Sequence, residues 1–318
     1  MVSFPTSVES FNPTKIYRET SKAVVLIAGF EKGQKVMSKG TGSIISRNGF
    51  VLTNAHVVID KNKGQPFKNL RIYIKPENIS GDLKKDTTLK YPAELIEYSK
   101  NLDLALLQIK SISTNKISKI LKFSDSDLVS IGDPVVAIGH PEQGGLWTLT
   151  TGTISSQIKD FKNMKGKNVF QTETSLNRGN SGGPLINSYG HIVGVNSMIS
   201  RKSQDGTAIT GINFSIKSRV AVKWLNSIGL ESQLVSIEPN LTPKEPDVNN
   251  AGIIPVLKEQ KHSVIKIETK QKPKLKQKKI KPKESRVLTK IRPYKDKELF
   301  QQMEDEMEDM MDEMKKNF

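Results

Sequence analysis

Between residues 24 and 217 the sequence is cut by turn residues into apolar runs too short for helices and long enough for strands. LRIYI (70–74), AELIEY (93–98), DLALLQI (103–109), PVVAIG (134–139), the region 149–158, VFQT (169–172), HIVGV (191–195) and GINFSI (211–216) recur with Gly, Pro, Asn, Asp or Ser between them. This spacing predicts an all-β protein of two packed six-stranded barrels. Asn48-Gly49, between Ser43–Ser46 and Phe50–Thr53, predicts a tight hairpin, because that dipeptide supplies positive φ angles. A closing helix is expected over Lys217–Ile228, with Gly229 just past its end.

The strand pattern does not reach the C-terminus. Across 318 residues the hydrophobic share is 36% and the net charge +16, a low apolar content for one compact body. The shortfall is local: no glycine follows Gly252, and residues 256–297 hold sixteen Lys or Arg against four Asp or Glu. Such a stretch cannot bury enough apolar surface to offset its chain entropy. The expected division is therefore an N-terminal segment 1–19, a folded domain 20–230, a basic Lys/Pro-rich and largely disordered linker 231–297, and an acidic segment 298–318. In that last segment Phe300, Met303, Met307, Met310 and Met314 recur at helical steps, which predicts a short amphipathic helix. A coiled coil, or a helix folded back on the basic linker, are both open to it.

RGNSGGPLIN (178–187) sets one serine among three glycines and a proline. A structural turn explains such a cluster, and so does a nucleophile. Gly179, Ser181 and Gly183 also spell G-x-S-x-G, but Pro184 and the strand-like residues after it lack the helix of a nucleophile elbow, and neither an acid nor a suitable histidine follows. A nucleophilic serine needs a base with a pKa near neutrality. Of four histidines, His140 and His191 sit at turns, where a solvated surface histidine is expected, and His262 lies in the basic tail. His56 follows the predicted hairpin in GFVLTNAHVV. Asp103 opens an apolar run, as a strand-start residue facing water or as the carboxylate that orients the histidine. The chain order His56, Asp103, Ser181 is that of the chymotrypsin architecture.

GTGSIIS..GFVLTNAHVV, DLALLQI and NRGNSGGPLIN together resemble the three blocks of the HtrA/Deg family of trypsin-like serine proteases. GHPEQGGLWTLTTGTIS (139–155) and GINFSI are similar to two further family segments, and the likeness covers about residues 20–228. It implies a chymotrypsin-type double barrel and an endopeptidase cleaving unfolded or misfolded polypeptides in protein quality control or regulated proteolysis. His56, Asp103 and Ser181 would be catalytic, with Gly179, Asn180 and Ser181 forming the oxyanion hole. Ser175, Leu176 and Asn177, with Asn196, Ser197, Met198 and Ile199, would wall the S1 pocket. This chemistry calls for no metal and no cofactor. The resemblance also implies a homo-oligomer, a trimer. Glu173 stands where the family has aspartate and Asn213 where it has glycine, departures that touch regulation and specificity. The space after the protease is too short and glycine-poor for the PDZ domains of the family, so none is expected.

Two other classes stay open: a catalytically inactive trypsin-like module that binds peptides, and a protein held on nucleic acid or another acidic partner by residues 256–297. Tyr294 is the single aromatic residue of that segment, too few for stacking on bases. Without cysteine there is no disulfide framework. The longest apolar run, Ala23–Phe30, is too short to span a membrane, and no signal-peptide pattern precedes it. A cytoplasmic protein is expected if Met1 is the true start; a periplasmic or cell-envelope one if a signal peptide has been removed.

Overall fold

The computed structural model describes residues 11–31, 36–142, 144–199 and 212–230, with the backbone alone at 198–199 and 237–238. Apart from the backbone of 237–238, the expected basic linker 231–297 and the acidic segment 298–318 lie outside the described residues.

Six antiparallel strands close the first barrel: β1 (Val24–Phe30), β2 (Ser38–Ile44), β3 (Phe50–Thr53), β4 (Asn69–Ile74), β5 (Lys90–Ser99) and β6 (Leu104–Ile109), in the order β1-β2-β3-β6-β5-β4, with β4 pairing back onto β1. Asn48-Gly49 does lie in the β2–β3 turn, but only Gly49 has positive φ, at 80°. The turn is a longer one in which the Ser46 hydroxyl accepts from the Asn48 and Phe50 N–H groups at 3.2 and 3.4 Å. A two-residue turn with both central residues left-handed is thus replaced by a side-chain-braced loop.

The second barrel is a ring of β8 (Pro134–Gly139), β9 (Thr148–Ile158), β10 (Val169–Thr172), β13 (Asn213–Lys217), β12 (Ile192–Ile199) and β11 (Pro184–Ile186), closed by the β11–β8 pairing. The two-residue strand β7 (Phe123–Ser124) adds to β12 in parallel, and β14 (Ile237–Glu238) adds to β7. One continuous apolar cluster runs through residues of both barrels, and a second, around Phe170, Leu176 and Leu185, fills the interior of the second barrel. Trp147, Phe123, Ile27, Leu52 and Leu106 are among the largest fully buried side chains. Each such aliphatic residue contributes about 1.5–3 kcal/mol relative to an exposed one.

Among the described residues four α-helices decorate the barrels: α1 (Pro13–Thr20), the single turns α2 (Ala55–Val58) and α3 (Leu83–Asp86), and α4 (Ser218–Ser227). Asn12 caps α1 through Lys15 N–H, with Pro13 in the first turn where a missing N–H costs nothing. Ile16 is buried and the Tyr17 hydroxyl donates to the Trp147 carbonyl at 2.9 Å, so α1 is fastened to the body, and the expected boundary between residues 19 and 20 falls inside this helix. The closing helix is α4, one residue shorter at each end than its sequence suggests, with Gly229 at φ 84° beyond it. No helix among the described residues is long and apolar enough to cross a membrane.

Candidate active site

The first barrel delivers His56 and Asp103 to one place through a strand pairing. Thr53, at the end of β3, pairs with Ala105, near the start of β6, so the turn after one strand lies beside the turn before the other. His56 sits on α2 and Asp103 immediately before β6. Asp103 has φ 59°, a left-handed conformation that aspartate adopts more readily than most residues. The Asn54 side chain donates to its carbonyl at 2.8 Å. The carboxylate lies 2.9 and 3.0 Å from His56 Nδ1 and also accepts the His56 backbone N–H at 3.1 Å. A third donor is the Ser197 hydroxyl, 2.6 Å from Oδ2. Because a carboxylate at neutral pH only accepts, Nδ1 carries the proton and Nε2 is the open nitrogen.

Ser197 owes its position to a bulge. On β12 the register against β13 shifts between Asn196 and Met198, leaving Ser197 as the extra residue, and bulges re-aim side chains in this way. Its hydroxyl meets Asp103, and its carbonyl accepts the Ser181 hydroxyl at 3.4 Å. Among the described residues that long contact is the one hydrogen bond of Ser181 Oγ, and none joins it to His56.

Around Ser181 the backbone can be followed group by group. The carbonyls of Arg178, Gly179, Asn180 and Ser181 accept from Glu142 N–H at 2.8 Å, Thr41 Oγ1 at 2.6 Å, Gly183 N–H at 3.0 Å and Thr41 N–H at 2.8 Å. The N–H groups of Asn180 and Gly182 go to the carbonyls of Asn177 at 3.0 Å and Asn196 at 2.7 Å. Among the described residues the N–H groups of Gly179 and Ser181 have no acceptor. In a trans peptide the C=O and the following N–H point opposite ways. Holding the Arg178 and Asn180 carbonyls therefore aims the Gly179 and Ser181 N–H groups away from those partners. Two glycines make this packing feasible: Gly179 at φ 94°, where a Cβ would strike the His140 carbonyl, and Gly182 at φ 82°, where it would strike Thr53 Oγ1 and the Thr41 carbonyl.

Several sequence expectations need correction. His140 is no surface histidine: it is 3% exposed, Nδ1 lies 3.0 Å from Thr41 Oγ1, and its ring meets the Trp147 ring edge-on at 4.8 Å. Burial pushes its pKa down to about 3. His191 is half-buried. Among the seven residues expected to wall a pocket, Leu176 turns into the second core cluster, and Asn196 is buried with Nδ2 on the Pro184 carbonyl and Oδ1 on the Ser215 hydroxyl. Alternation along an extended chain sends every second side chain inward, so these two reach a cleft only through backbone. Ser197 is committed to Asp103, Ser175 is exposed and Asn177 half-buried, while the side chains of Met198 and Ile199 lie outside the described residues. Asn180 directs its N–H at Asn177, which leaves Gly179 and Ser181 as the donors available there. The two departures from the resembled pattern both form internal bonds. Glu173 accepts from Thr153 N–H, Thr153 Oγ1 and Ser155 Oγ at 2.6–2.8 Å, and Asn213 Nδ2 donates to the Thr174 carbonyl at 2.8 Å. What the sequence did not single out is Thr41, Ser197 as a partner of Asp103, and the role of His140 as a packed residue.

Residues 40–195 match the trypsin-like peptidase domain family. The magnetosome formation protease MamE of Magnetospirillum gryphiswaldense is 32% identical over 229 residues, covering 69% of this chain and 27% of that protein. A probable periplasmic serine endoprotease, DegP-like, of Chlamydia pneumoniae is 35% identical over 211 residues, 64% of this chain and 37% of that one. This chain thus spans about a third of the length of these curated relatives. Among solved structures, the HtrA-type protease AlgW with a tripeptide superposes with a TM-score of 0.54 at 26% identity, covering 70% of this chain and 65% of that chain. The serine endoprotease from Yersinia pestis gives 0.51 at 25% identity, covering 73% and 70%. With two closed β-barrels, a trypsin-like peptidase match over residues 40–195 and relatives of the DegP and HtrA kind, the chain carries a trypsin-like peptidase domain similar to the serine proteases of HtrA/Deg type.

Proposed function

We propose that residues 20–230 form a serine endopeptidase unit acting through an acyl-enzyme on Ser181. His56 Nε2 takes the Ser181 proton as the hydroxyl attacks a peptide carbonyl and later returns it to the leaving amine. Asp103 holds the Nδ1–H tautomer and stabilises the imidazolium. The carbonyl oxygen, now an anion, is met by the Gly179 and Ser181 N–H groups, donors already in place before reaction. The observation that carries this reading is Ser197, which touches Ser181 with its carbonyl and Asp103 with its hydroxyl and so ties the contributions of the two barrels together. The deciding experiment is labelling by a fluorophosphonate with digestion of unfolded casein, on wild type and Ser181→Ala. Casein cleaved by purified Ser181→Ala sinks the assignment, and with it the choice over an inactive peptide-binding module.

The substrate class we infer is the unfolded or misfolded polypeptide, in quality control or regulated proteolysis. Among the described residues Ser175, Asn177 and the backbone of 197–199 offer no carboxylate to a buried Lys or Arg, so medium aliphatic P1 residues such as Val, Ala or Ile should be preferred. A peptide-library profile dominated by Arg and Lys refutes this pocket. Outside the protease unit, the basic segment 256–297 is suited to an acidic partner, and a trimeric assembly is part of the same proposal. Deleting residues 240–318 should leave short-peptide turnover within about threefold while changing binding to a large or charged partner, a binding that salt would weaken. Loss of short-peptide turnover in the folded truncation moves the boundary of the catalytic unit. The relatives named periplasmic favour an exported protein over a cytoplasmic one, which fractionation of producing cells decides.

A further inference from the structure

We propose that Thr41 and His140 are positioning residues that hold the loop carrying the two oxyanion donors. The proposal rests on the reading of Gly179 and Ser181 as those donors. Thr41, on β2 of the first barrel, reaches across to the second barrel and grips the loop twice: its N–H donates to the Ser181 carbonyl at 2.8 Å and its hydroxyl to the Gly179 carbonyl at 2.6 Å. The second bond fixes the Gly179–Asn180 peptide, which lies between the two donor-bearing peptides. If that central peptide turned, the torsions on both sides would change and both donors would lose their aim.

Proton accounting assigns His140 its part. The Thr41 hydroxyl has one proton, and Gly179 O can only accept, so the proton is spent there. Thr41 Oγ1 is then an acceptor towards His140, receiving its backbone N–H at 3.2 Å and an Nδ1–H at 3.0 Å. His140 is accordingly a neutral imidazole protonated at Nδ1, and burial keeps it neutral by pushing its pKa down to about 3. Nε2 is buried with no hydrogen-bond partner among the described residues. An apolar side chain of similar volume would leave no such orphan and would also lack the Nδ1 donor, the one thing the ring supplies at this position. Trp147, anchored by its indole N–H to the Val24 carbonyl at 2.8 Å, sets the ring edge-on. His140 also carries the carbonyl against which Gly179 lies, so the same residue backs the loop from behind and saturates the hydroxyl that grips it.

The test is short-peptide kinetics with thermal melting on Thr41→Val, Thr41→Ser, His140→Leu and His140→Asn, with fluorophosphonate labelling alongside. Thr41→Val keeps shape and removes the hydroxyl. It should lower kcat about 10–100-fold, the range set by displacing rather than deleting an oxyanion donor, with KM within about threefold. Thr41→Ser should restore most of kcat. His140→Asn can place an Nδ2–H where Nδ1–H stands and should stay within severalfold, whereas His140→Leu should fall like Thr41→Val. The double variant Thr41→Val with His140→Leu should be little worse than Thr41→Val alone, because both act on one bond. A folded Thr41→Val with wild-type kcat, a loss confined to KM, or a Thr41→Ser as slow as Thr41→Val overturns the proposal. Should Thr41→Val fail to fold, the His140 pair decides: equal kcat for His140→Leu and wild type overturns it. Wild type that no fluorophosphonate labels removes the Ser181 reading itself, whereas fast labelling of wild type and slow labelling of Thr41→Val upholds both.

Discussion

The two walls of the cleft are held by different kinds of bond. On the His56 side three donors, His56 Nδ1–H, His56 N–H and Ser197 Oγ–H, converge on one carboxylate, Asp103. On the Ser181 side carbonyl groups of four successive residues are held, and only the Thr41 hydroxyl among their donors is a side chain. The first wall depends on which side chains are present. The second depends on which are missing, since Gly179 and Gly182 pass too close to His140, Thr53 and Thr41 to carry a Cβ. An insertion of one methyl group should therefore hurt the second wall most, and loss of the Asp103 charge the first.

The largest expected effects test the chemistry common to both. Ser181→Ala and His56→Ala should each lower turnover by a factor on the order of 10⁶. Asp103→Asn leaves the shape intact but favours the wrong imidazole tautomer, at a cost on the order of 10⁴ in kcat. Gly179→Ala, a single methyl group, should cost about 10²–10³ through displaced donors, read as kcat on a short peptide beside a melting curve. Ser197→Ala removes one of three donors to a carboxylate and should cost about tenfold. The contrast between the walls breaks if Gly179→Ala turns over like wild type, or if Ser197→Ala proves the more damaging of the two.

That contrast also explains what could be read from the sequence. Both barrels and α4 were legible because strand length, turn residues and helix stops act locally: PVVAIG and VFQT coincide with β8 and β10. His56, Asp103 and Ser181 could be singled out because their types announce their chemistry. Thr41 could not, since a threonine in a strand says nothing about a carbonyl 138 residues away. His140 was misread as solvated because GHPEQGG looks like an exposed turn; its burial comes from Trp147 and the nucleophile loop arriving over it. Leu176 and Asn196 were misplaced for a related reason: the sequence puts them beside the nucleophile, but the pleat decides which way each side chain faces.

The smallest effect concerns Glu173, where a side chain does brace the loop leading to Ser181. Burial pushes its carboxyl up, but hydrogen bonds from Ser155, Thr153 Oγ1 and Thr153 N–H outweigh it and hold the pKa at about 2, against 4.5 for an unperturbed glutamate. A carboxylate whose folded pKa is depressed adds stability that is present above pH 4.5 and lost as the pH falls through 2. Glu173→Gln keeps the size and removes the charge, so the wild type should melt higher than the variant at neutral pH, and the gap should close between pH 4.5 and 2. The site is exposed and screened by solvent, which limits the gap to about 1–3 °C. Melting curves of both proteins across that range decide it. A gap that persists unchanged at pH 2 would mean that the amide NH2 of the variant, a donor set among the donors Thr153 N–H, Thr153 Oγ1 and Ser155 Oγ, rather than the lost charge, is what costs stability at residue 173.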